Sequence, residues 1–306
     1  MPLTNEPIHL AIAFDEKYLT PFYALLTSIF YHNKDNRIIL HTIATGISDH
    51  EKAAINKYVQ QLKGEINYYT VDQNFVSHFV LTSTWTSAVY YRLFFPFLIP
   101  DTVNRLLYID TDTLVINNLQ AFGEINLQDF PVAAAYDNWV KVQPLIGIEE
   151  EGNYFNSGVL LINVPEWKKQ KISEKAFDYL TEFPEKIKFV DQDALNAVLI
   201  NNWLKIDNRF NLIYSVIPPD LARRDFEQYL TDKVILHFTL ERPWHMLCQN
   251  RFRYLYHKYL KLSPRSKASP YVDFSIGKLN TFIKIRLREF YFDNPNIMHL
   301  WRKIKT

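Results

Sequence analysis

Short, nearly continuous hydrophobic runs alternate along the chain with longer segments in which apolar residues recur every three or four positions. The short runs predict buried β-strands, and the longer segments predict helices. Strands are predicted at residues 8–14, 37–44, 65–71, 105–109, 132–136, 154–164 and 233–238. Helices are predicted at residues 18–31, 48–62, 165–180 and 191–200. This alternation is typical of an α/β fold with a mostly parallel sheet flanked by helices.

Local signals support two of the helix starts and one boundary between parts of the chain. Ser48 and Glu51 have the spacing of a capping box, and Pro165 suits the first turn of a helix. The segment 263–270 is polar and contains two prolines, which predicts a linker. We therefore predict a folded domain over residues 1–262 and a separate C-terminal tail over residues 263–306.

The composition excludes several classes of protein. Of 306 residues, 48% are hydrophobic and 22% are charged, which is typical of a globular protein rather than a disordered one. The single cysteine, Cys248, cannot pair within the chain, so we interpret it as a packing residue in a reducing compartment. The first nine residues do not have the pattern of a signal peptide, and no run of eighteen apolar residues predicts a membrane span. Glycine-rich signatures of dinucleotide binding and of phosphate-binding loops are also absent from the sequence.

Charge is distributed unevenly between the two parts of the chain. Residues 1–241 contain 20 Lys+Arg and 30 Asp+Glu, a net charge of −10, whereas residues 242–306 contain 14 and 3, a net charge of +11. Such asymmetry indicates that the basic part contacts an anionic partner.

The tail combines this positive charge with apolar residues at helical spacing. The apolar positions are Ile276, Leu279, Ile283, Leu287 and Phe290. The cations that accompany them are Lys278, Lys284, Arg286 and Arg288, followed by Arg302, Lys303 and Lys305 around Trp301. The pattern favours an amphipathic helix on an anionic membrane surface. One alternative is a helix packed on the domain with its cations in water. Another is nucleic-acid binding through the tail, although the sequence has no nucleic-acid-binding motif and the domain is net negative.

Acidic residues follow three of the predicted strands. Asp15 follows the first strand, Asp110 and Asp112 follow the strand at 105–109, and Asp137 follows the strand at 132–136. In open α/β sheets, ligands bind beyond the carboxyl ends of the strands. Two carboxylates that are two positions apart lie on the same side of an extended segment, where they repel each other unless a cation lies between them. The alternative is a surface turn with two solvated aspartates.

Three further segments are candidates for the same site. His237 ends an apolar strand and, with the two aspartates, would complete an Asp/Asp/His set that suits Mn²⁺ better than Mg²⁺; alone it would be a satisfied core histidine. Gly158 interrupts a predicted central strand, which indicates either close approach of a ligand or backbone or a β-bulge. Asp191 and Gln192 open a short helix, where they either cap it or face a polar ligand. We interpret Trp244 as a packing residue.

Six motifs together, in this order, resemble those of glycosyltransferase family 8, and in particular its bacterial lipooligosaccharide α-galactosyl- and α-glucosyltransferases. They are FDEKY (14–18), LLYIDTDTLV (106–115), AAYD (134–137), YFNSGVLLIN (154–163), VDQDALN (190–196) and HFTLERPWH (237–245). The resemblance covers roughly residues 8–260. It implies a GT-A fold and retaining transfer of a hexose from UDP-galactose or UDP-glucose to a glycan or glycolipid, such as cell-surface lipooligosaccharide or lipopolysaccharide. It also implies a cytoplasmic enzyme, peripheral at the inner face of the cytoplasmic membrane.

The resemblance also implies roles for individual residues. Asp110, Asp112 and His237 match the family's Mn²⁺ ligands, with Mg²⁺ as a possible substitute. Ala13, Asp15 and Tyr18 match positions that bind the uridine. The other positions expected to bind the donor are Arg92, Thr111, Asp137, Asn156, Ser157, Asp191, Gln192 and Arg242. Among them, Gln192, Asp191 and Asp137 are the catalytic candidates.

The chain departs from the family pattern at two places. The family's closing motif reads H-x-x-G-x-x-K-P-W, whereas the segment from His237 to Trp244 is one residue shorter, lacks the glycine and has Arg242 for the lysine. Arginine can still bind phosphate, and does so bidentately. Lys17 stands near the uracil where asparagine is common. The altered loop leaves a second interpretation open, which is an inactive module that binds UDP-sugars without transferring them.

Transfer with retention of the anomeric configuration can follow two routes, and Gln192 has a candidate role in each. It is the matched candidate for a nucleophile below the sugar ring, but an amide is a poor nucleophile. We therefore favour attack of the acceptor on the same face that the leaving group departs from, with Gln192 and Asp191 holding the sugar. No nucleic acid is expected as a partner.

Overall fold

The structure, a computed structural model, describes residues 6–81 and 85–294. The strands are β1 (Ile8–Asp15), β2 (Ile38–Thr45), β3 (Glu65–Tyr69), β4 (Arg105–Ile109), β5 (Thr113–Val115), β6 (Val132–Tyr136), β7 (Phe155–Asn163), β8 (Leu204–Ile206), β9 (Leu212–Ile213) and β10 (Ile235–His237). The helices are α1 (Leu19–His32), α2 (Asp49–Gln61), α3 (Gln73–Val76), α4 (Phe95–Leu98), α5 (Val164–Lys169), α6 (Ile172–Glu182), α7 (Val190–Val198), α8 (Phe226–Leu230), α9 (Arg253–Leu262) and α10 (Leu279–Asp293).

Seven strands form one sheet in the order β3-β2-β1-β4-β7-β6-β8. Strands β3, β2, β1 and β4 run parallel, β7 is antiparallel to both β4 and β6, and β8 is parallel to β6. The mostly parallel sheet predicted from the sequence is thus confirmed. The strand predicted at 233–238 belongs instead to a second sheet of three short strands, in the order β5-β10-β9.

Apolar residues cover both faces of the large sheet. Leu106 and Leu160 belong to the hydrophobic cluster on one face, and Leu107 and Leu161 belong to the cluster on the other. Successive side chains of a strand point to opposite faces, so a strand covered on both sides reads as a continuous apolar run. This explains the uninterrupted hydrophobic pattern of β4 and β7.

One predicted helix is wrong in its extent. Residues 165–180 form two helices, α5 and α6, because Lys171 between them has a left-handed backbone with φ of 54°. The break lets Trp167 and Ser173 meet in the interior, where the indole Nε1 donates to the Ser173 hydroxyl at 2.8 Å. That hydroxyl in turn donates to the Leu93 carbonyl at 2.6 Å. The capping box at α2 is partly realised, since Ser48 Oγ accepts from the Glu51 N–H at 3.2 Å.

The C-terminal segment contacts the rest of the chain through charged groups. Arg265, in the predicted linker, pairs with Glu51 of α2 at 2.9 Å. Glu289 of α10 accepts both terminal nitrogens of Arg253, at 2.8 and 2.6 Å, and Asp293 pairs with Arg251. No helix within 6–81 and 85–294 combines the length and apolarity needed to cross a membrane. The predicted basic positions Arg302, Lys303 and Lys305, with Trp301, lie outside the described residues.

Candidate functional site

A cleft of about 320 Å³ opens where β1, β4, β6 and β10 end. Its volume falls at the lower end of that of small-molecule sites, roughly 300–1,000 Å³. The cleft brings together residues that are distant in the sequence, and every predicted site residue except Asp15 lines it. The predicted residues in its wall are Ala13, Tyr18, Arg92, Asp110, Thr111, Asp112, Asp137, Asn156, Ser157, Asp191, Gln192, His237 and Arg242.

Asp15 lies at the end of β1 but has a local partner. Its carboxylate accepts from the Lys17 N–H at 2.9 Å and caps the 3₁₀-helix Glu16–Tyr18. Its role in uridine binding remains a prediction. Tyr18, at the end of the same turn, does line the cleft, and the Arg242 guanidinium lies 5.5 Å from the centre of its ring.

Asp110, Asp112 and His237 converge at one point. His237 Nε2 lies 3.2 Å from Asp112 Oδ1 and 4.0 Å from Asp110 Oδ2. One ligand atom from each residue can be chosen so that all lie within 4.8 Å of one another. The pairing of β10 with β5 produces this geometry, because it sets His237 opposite Thr113, directly after the two aspartates.

These three side chains fit a divalent cation. Two ligand atoms that each lie ~2.1 Å from one ion can be at most ~4.2 Å apart, and both distances from His237 satisfy that limit. Two carboxylates and one imidazole leave other coordination positions open, as a site that also binds a substrate requires. Beside these side chains the Arg242 Nε is buried 3.5 Å from Asp112 Oδ2 without a hydrogen-bond partner among the described residues, which suits an anionic ligand next to the cation.

Gly158 allows the candidate metal ligands to lie close to β7. A Cβ atom at this position would lie 2.2 Å from His237 Cε1 and 2.7 Å from Asp110 Oδ2, both far inside van der Waals contact. The glycine in this strand is therefore explained by close approach of side chains. The β-bulge alternative also holds, because Ala134 pairs with Leu160 and Tyr136 with Phe155, so the extra residues of this irregular pairing lie on β7 and include Gly158.

Arg92 is a buried cation between two carboxylates. Its side chain is 5% exposed, and it pairs with Asp110 at 3.0 Å and with Asp191 at 2.9 Å. It also donates to the Ser157 hydroxyl at 3.0 Å and lies 4.6 Å from the centre of the Tyr108 ring. Burial opposes its charge, but the two carboxylates outweigh burial and raise its pKa. The arginine therefore links Asp110, in the candidate metal site, to Asp191, at the start of α7.

The pKa values of the buried carboxyls shift in different directions, because burial raises each of them but their charged neighbours differ. It raises the pKa of Asp191 to about 7 against the opposing pull of Arg92, and it raises the pKa of Asp110 in the same way. Burial also acts on Asp112, but His237 outweighs it and lowers the pKa of that carboxyl. For His237, burial is outweighed by Asp112, so the imidazole pKa is raised. Asp112 and His237 thus each favour the charged form of the other.

Asp137 and Gln192 belong to a hydrogen-bonded cluster on the other side of the cleft. Gln192 Nε2 and Asn156 Nδ2 both donate to Asp137 Oδ2, at 3.2 and 3.0 Å. Gln192 Oε1 accepts from the Ser157 N–H at 3.0 Å. Val190, just before these residues, has φ of 42°, which is unfavourable for a β-branched residue and is of the kind that clusters at functional sites.

The altered closing loop contains a residue with left-handed backbone although it lacks the glycine. Thr239 adopts the left-handed conformation, with φ of 51°, and lines the cleft together with Leu240. Trp244 is 7% exposed and packs edge-on against Tyr18 and on Tyr256, which confirms the packing interpretation.

Several residues of the site were missed by the sequence analysis. Tyr108 donates to Asp110 Oδ1 at 2.7 Å, but in the sequence it reads as one more apolar position of β4. Asn211 bonds to His237 Nδ1 at 3.0 Å, although its sequence neighbourhood resembles an ordinary turn. Trp139, Leu240 and Tyr214 line the cleft and are 67%, 59% and 37% exposed. The sequence does not indicate this exposure, because apolar residues in loops are usually interpreted as part of the hydrophobic core.

Comparison with known proteins agrees with the site. The family model "Glycosyl transferase family 8" matches residues 9–248. The chain is 29% identical over 271 residues to general stress protein A of Bacillus subtilis (strain 168), covering 84% of this chain and 94% of the relative. It is 27% identical over 252 residues to a lipopolysaccharide 1,2-glucosyltransferase of Escherichia coli, covering 79% and 74%.

Among solved structures, the fold is similar to that of the galactosyltransferase LgtC in complex with donor and acceptor sugar analogues. The TM-score is 0.73 at 22% identity, and the match covers 89% of this chain and 99% of the other. That likeness confirms the predicted GT-A fold. The family model spans most of the sequence and includes all three candidate metal-binding residues. The chain therefore belongs to glycosyltransferase family 8.

Proposed function

We propose that this protein is a retaining hexosyltransferase that moves galactose or glucose from a UDP-sugar to a glycan acceptor, with Mn²⁺ preferred over Mg²⁺. The observation that supports this most is the order of groups along the cleft. Arg242 and an Asp/Asp/His set lie on one side, and a cluster of amides and carboxylates lies on the other. The first arrangement suits a diphosphate, and the second suits the hydroxyls of a sugar.

A divalent cation at Asp110, Asp112 and His237 would supply Lewis-acid stabilisation of the charge that develops on the departing diphosphate. Arg242 adds a fixed positive charge on the same side. Gln192 Nε2 already donates to Asp137 Oδ2 and to the Tyr154 hydroxyl, at 3.2 Å each, so Gln192 and Asp137 would meet the sugar hydroxyls as a hydrogen-bonded pair. Since Gln192 Oε1 already accepts from the Ser157 N–H, we favour a positioning role over nucleophilic attack, with the acceptor entering on the face that UDP leaves.

The rim of the cleft supports a glycan as acceptor. Trp139, Leu240 and Tyr214 offer exposed apolar surface next to the proposed sugar position. Such surface is suited to the C–H face of a sugar ring. The lipopolysaccharide glycosyltransferases among the relatives are consistent with a lipooligosaccharide or lipopolysaccharide acceptor.

A donor screen tests the activity. UDP release would be measured for UDP-galactose, UDP-glucose, UDP-N-acetylglucosamine and UDP-N-acetylgalactosamine, with Mn²⁺, with Mg²⁺ and with EDTA. We expect slow hydrolysis of UDP-galactose or UDP-glucose that requires the cation and increases when a glycan acceptor is added. Tight binding of a UDP-sugar without turnover would instead support the inactive module, and equal turnover in EDTA would contradict the metal-dependent mechanism.

We also propose that the enzyme is peripheral at the inner, cytoplasmic face of the cytoplasmic membrane and contacts anionic lipids through α10. This helix turns its acids inward, where Glu289 and Asp293 pair with arginines of the preceding segment. Three of its apolar residues face outward instead. Ile283, Leu287 and Phe290 are 47%, 62% and 55% exposed. The exposed cations Lys284 and Arg288 accompany them and form no ion pair within the described residues.

Vesicle sedimentation tests this location. We expect the protein to pellet with vesicles that contain phosphatidylglycerol and not with neutral ones, and the double variant Ile283→Asn/Leu287→Asn to remain in the supernatant. Phe97→Asn, which removes an equally exposed apolar residue elsewhere, is the matched control. Equal pelleting of the double variant and the wild type would overturn the proposal. Binding to nucleic acid that weakens steeply with salt would favour the alternative partner.

A further inference from the structure

Asn211 lies behind the candidate metal site, outside the set of ligands. It follows the 3₁₀-helix Asn208–Phe210 and precedes β9, and it is 1% exposed. Its side-chain amide bridges two strands of different sheets. Nδ2 donates to Asn156 Oδ1 at 2.9 Å, and Oδ1 lies 3.0 Å from His237 Nδ1.

The orientation of the Asn156 and Asn211 side-chain amides is fixed by neighbouring groups that can only donate or only accept a hydrogen bond. Asn156 Oδ1 faces the Gly158 N–H at 3.0 Å, which can only donate, and Asn156 Nδ2 faces the Asp137 carboxylate at 3.0 Å, which accepts. With Asn156 fixed in this way, Asn211 must direct Nδ2 towards it. The oxygen of Asn211 is then left for His237, and it can only accept.

It follows that His237 carries a proton on Nδ1. The other nitrogen, Nε2, lies towards Asp112 and Asp110, at 3.2 and 4.0 Å. The chain of hydrogen bonds therefore selects Nε2 as the atom that faces the cation. The same chain of hydrogen bonds continues from His237 through Asn211 and Asn156 to the carboxylate of Asp137. Gln192 also donates to that carboxylate.

We propose that Asn211 is a positioning residue, which fixes the tautomer and the ring orientation of His237 for metal binding and couples that ligand to the sugar side of the cleft. The inference rests on the proposed function for the identity of the site. Removal of such a partner of a metal-bound histidine weakens metal affinity by roughly 10- to 100-fold in other sites.

The test measures Mn²⁺ binding to the purified full-length protein by electron paramagnetic resonance of the free ion, without UDP-sugar. Asn211→Leu removes both hydrogen bonds, and we expect it to weaken Mn²⁺ binding by roughly 10- to 100-fold. Asn211→Asp keeps an acceptor for the Nδ1 proton and is expected to restore most of that loss. Asn211→Ser, whose hydroxyl is too short to bridge, should resemble Asn211→Leu and serves in its place if that variant does not fold.

Asn33→Leu is the matched control. Asn33 is also 1% exposed and bonds to the Ile29 carbonyl and the Leu119 N–H, away from the cleft. It should lower the melting temperature without changing Mn²⁺ affinity. Unchanged Mn²⁺ affinity in Asn211→Leu and Asn211→Ser would overturn the role of Asn211 even if UDP-sugars are turned over. Mn²⁺ binding that is weakened in Asn211→Leu and restored in Asn211→Asp would support the role of Asn211 even if no UDP-sugar is turned over. The role of Asn211 and the proposed transferase activity can therefore be refuted independently.

Discussion

The cleft and the C-terminal helix α10 place polar and apolar groups in opposite ways. In the cleft, a charged arginine and several carboxylates are buried inside an apolar fold, and each has a specific partner. In α10, the acids Glu289 and Asp293 face the rest of the protein, whereas Ile283, Leu287 and Phe290 are exposed. Burial of charge is costly unless it is paired, so the cleft is organised for chemistry. An outward apolar face gains nothing in water, and it is the face that the proposed membrane contact would cover.

The largest expected effect comes from adding one methyl group at the metal site. Gly158→Ala places a Cβ where His237 and Asp110 now lie, and it should displace both ligands by about an ångström. We expect a loss on the order of 100-fold or more in Mn²⁺-dependent UDP release. Gly277→Ala, whose Cβ would meet nothing closer than Ser275 Oγ at 3.6 Å, should leave the rate unchanged. A normal rate in Gly158→Ala would show that the ligands do not need their present positions.

The next effect concerns the stability of the buried pairs. Arg92→Met leaves Asp110 and Asp191 without their cation and should lower the free energy of unfolding by roughly 3–5 kcal/mol in urea denaturation. Arg37→Met, which breaks the exposed pair with Glu65 at 2.8 Å, should cost less than about 1 kcal/mol. Similar losses in the two variants would contradict the contrast between buried and exposed charge.

A third prediction uses the pH dependence of stability. The pKa of Asp191 rises from 3.8 to about 7 on folding because of burial, so the folded state binds the proton more tightly than the unfolded state. Its contribution to stability is therefore largest below pH 4 and is lost as the pH rises to 7, by on the order of 4 kcal/mol. Asp191→Asn should flatten that part of the profile of unfolding free energy against pH. A profile with an unchanged slope would show that another group titrates there.

The smallest effect is expected on α10. Ile283→Asn should change the free energy of unfolding by no more than about 0.5 kcal/mol in water, because Ile283 is 47% exposed. The same substitution at Ile29, fully buried in α1, should cost about 3 kcal/mol or more. Thermal and urea denaturation of both variants would show this. A large loss in Ile283→Asn would indicate that this residue packs against protein after all.

Much of the fold was accessible from sequence because its signals are local. The continuous apolar runs of β1, β4 and β7 come from burial on both faces, and Ser48 marks the start of α2. The division of the helix at Lys171 was not accessible, since a single left-handed lysine leaves no trace in the hydrophobic pattern.

The residues of the candidate site also fall into two groups, those that the sequence indicates and those that it does not. The aspartates follow a strand and His237 ends one, so the three could be proposed as a set from the sequence, and the match to known family motifs supported the same set. Asn211 and Tyr108 could not be placed, because their roles depend on which strands become neighbours in space. The exposed rim at Trp139 depends on a loop conformation that no sequence pattern specified.

The most direct test of the central claim is UDP release by Asp112→Asn at saturating Mn²⁺, with the donor that the wild-type protein accepts. Asn keeps the size of the side chain but loses the charge that faces His237 at 3.2 Å. The account predicts a loss on the order of 100-fold or more, together with weaker Mn²⁺ binding. Turnover within about twofold of wild type would contradict it, since Asp112 would then not be a ligand on which transfer depends.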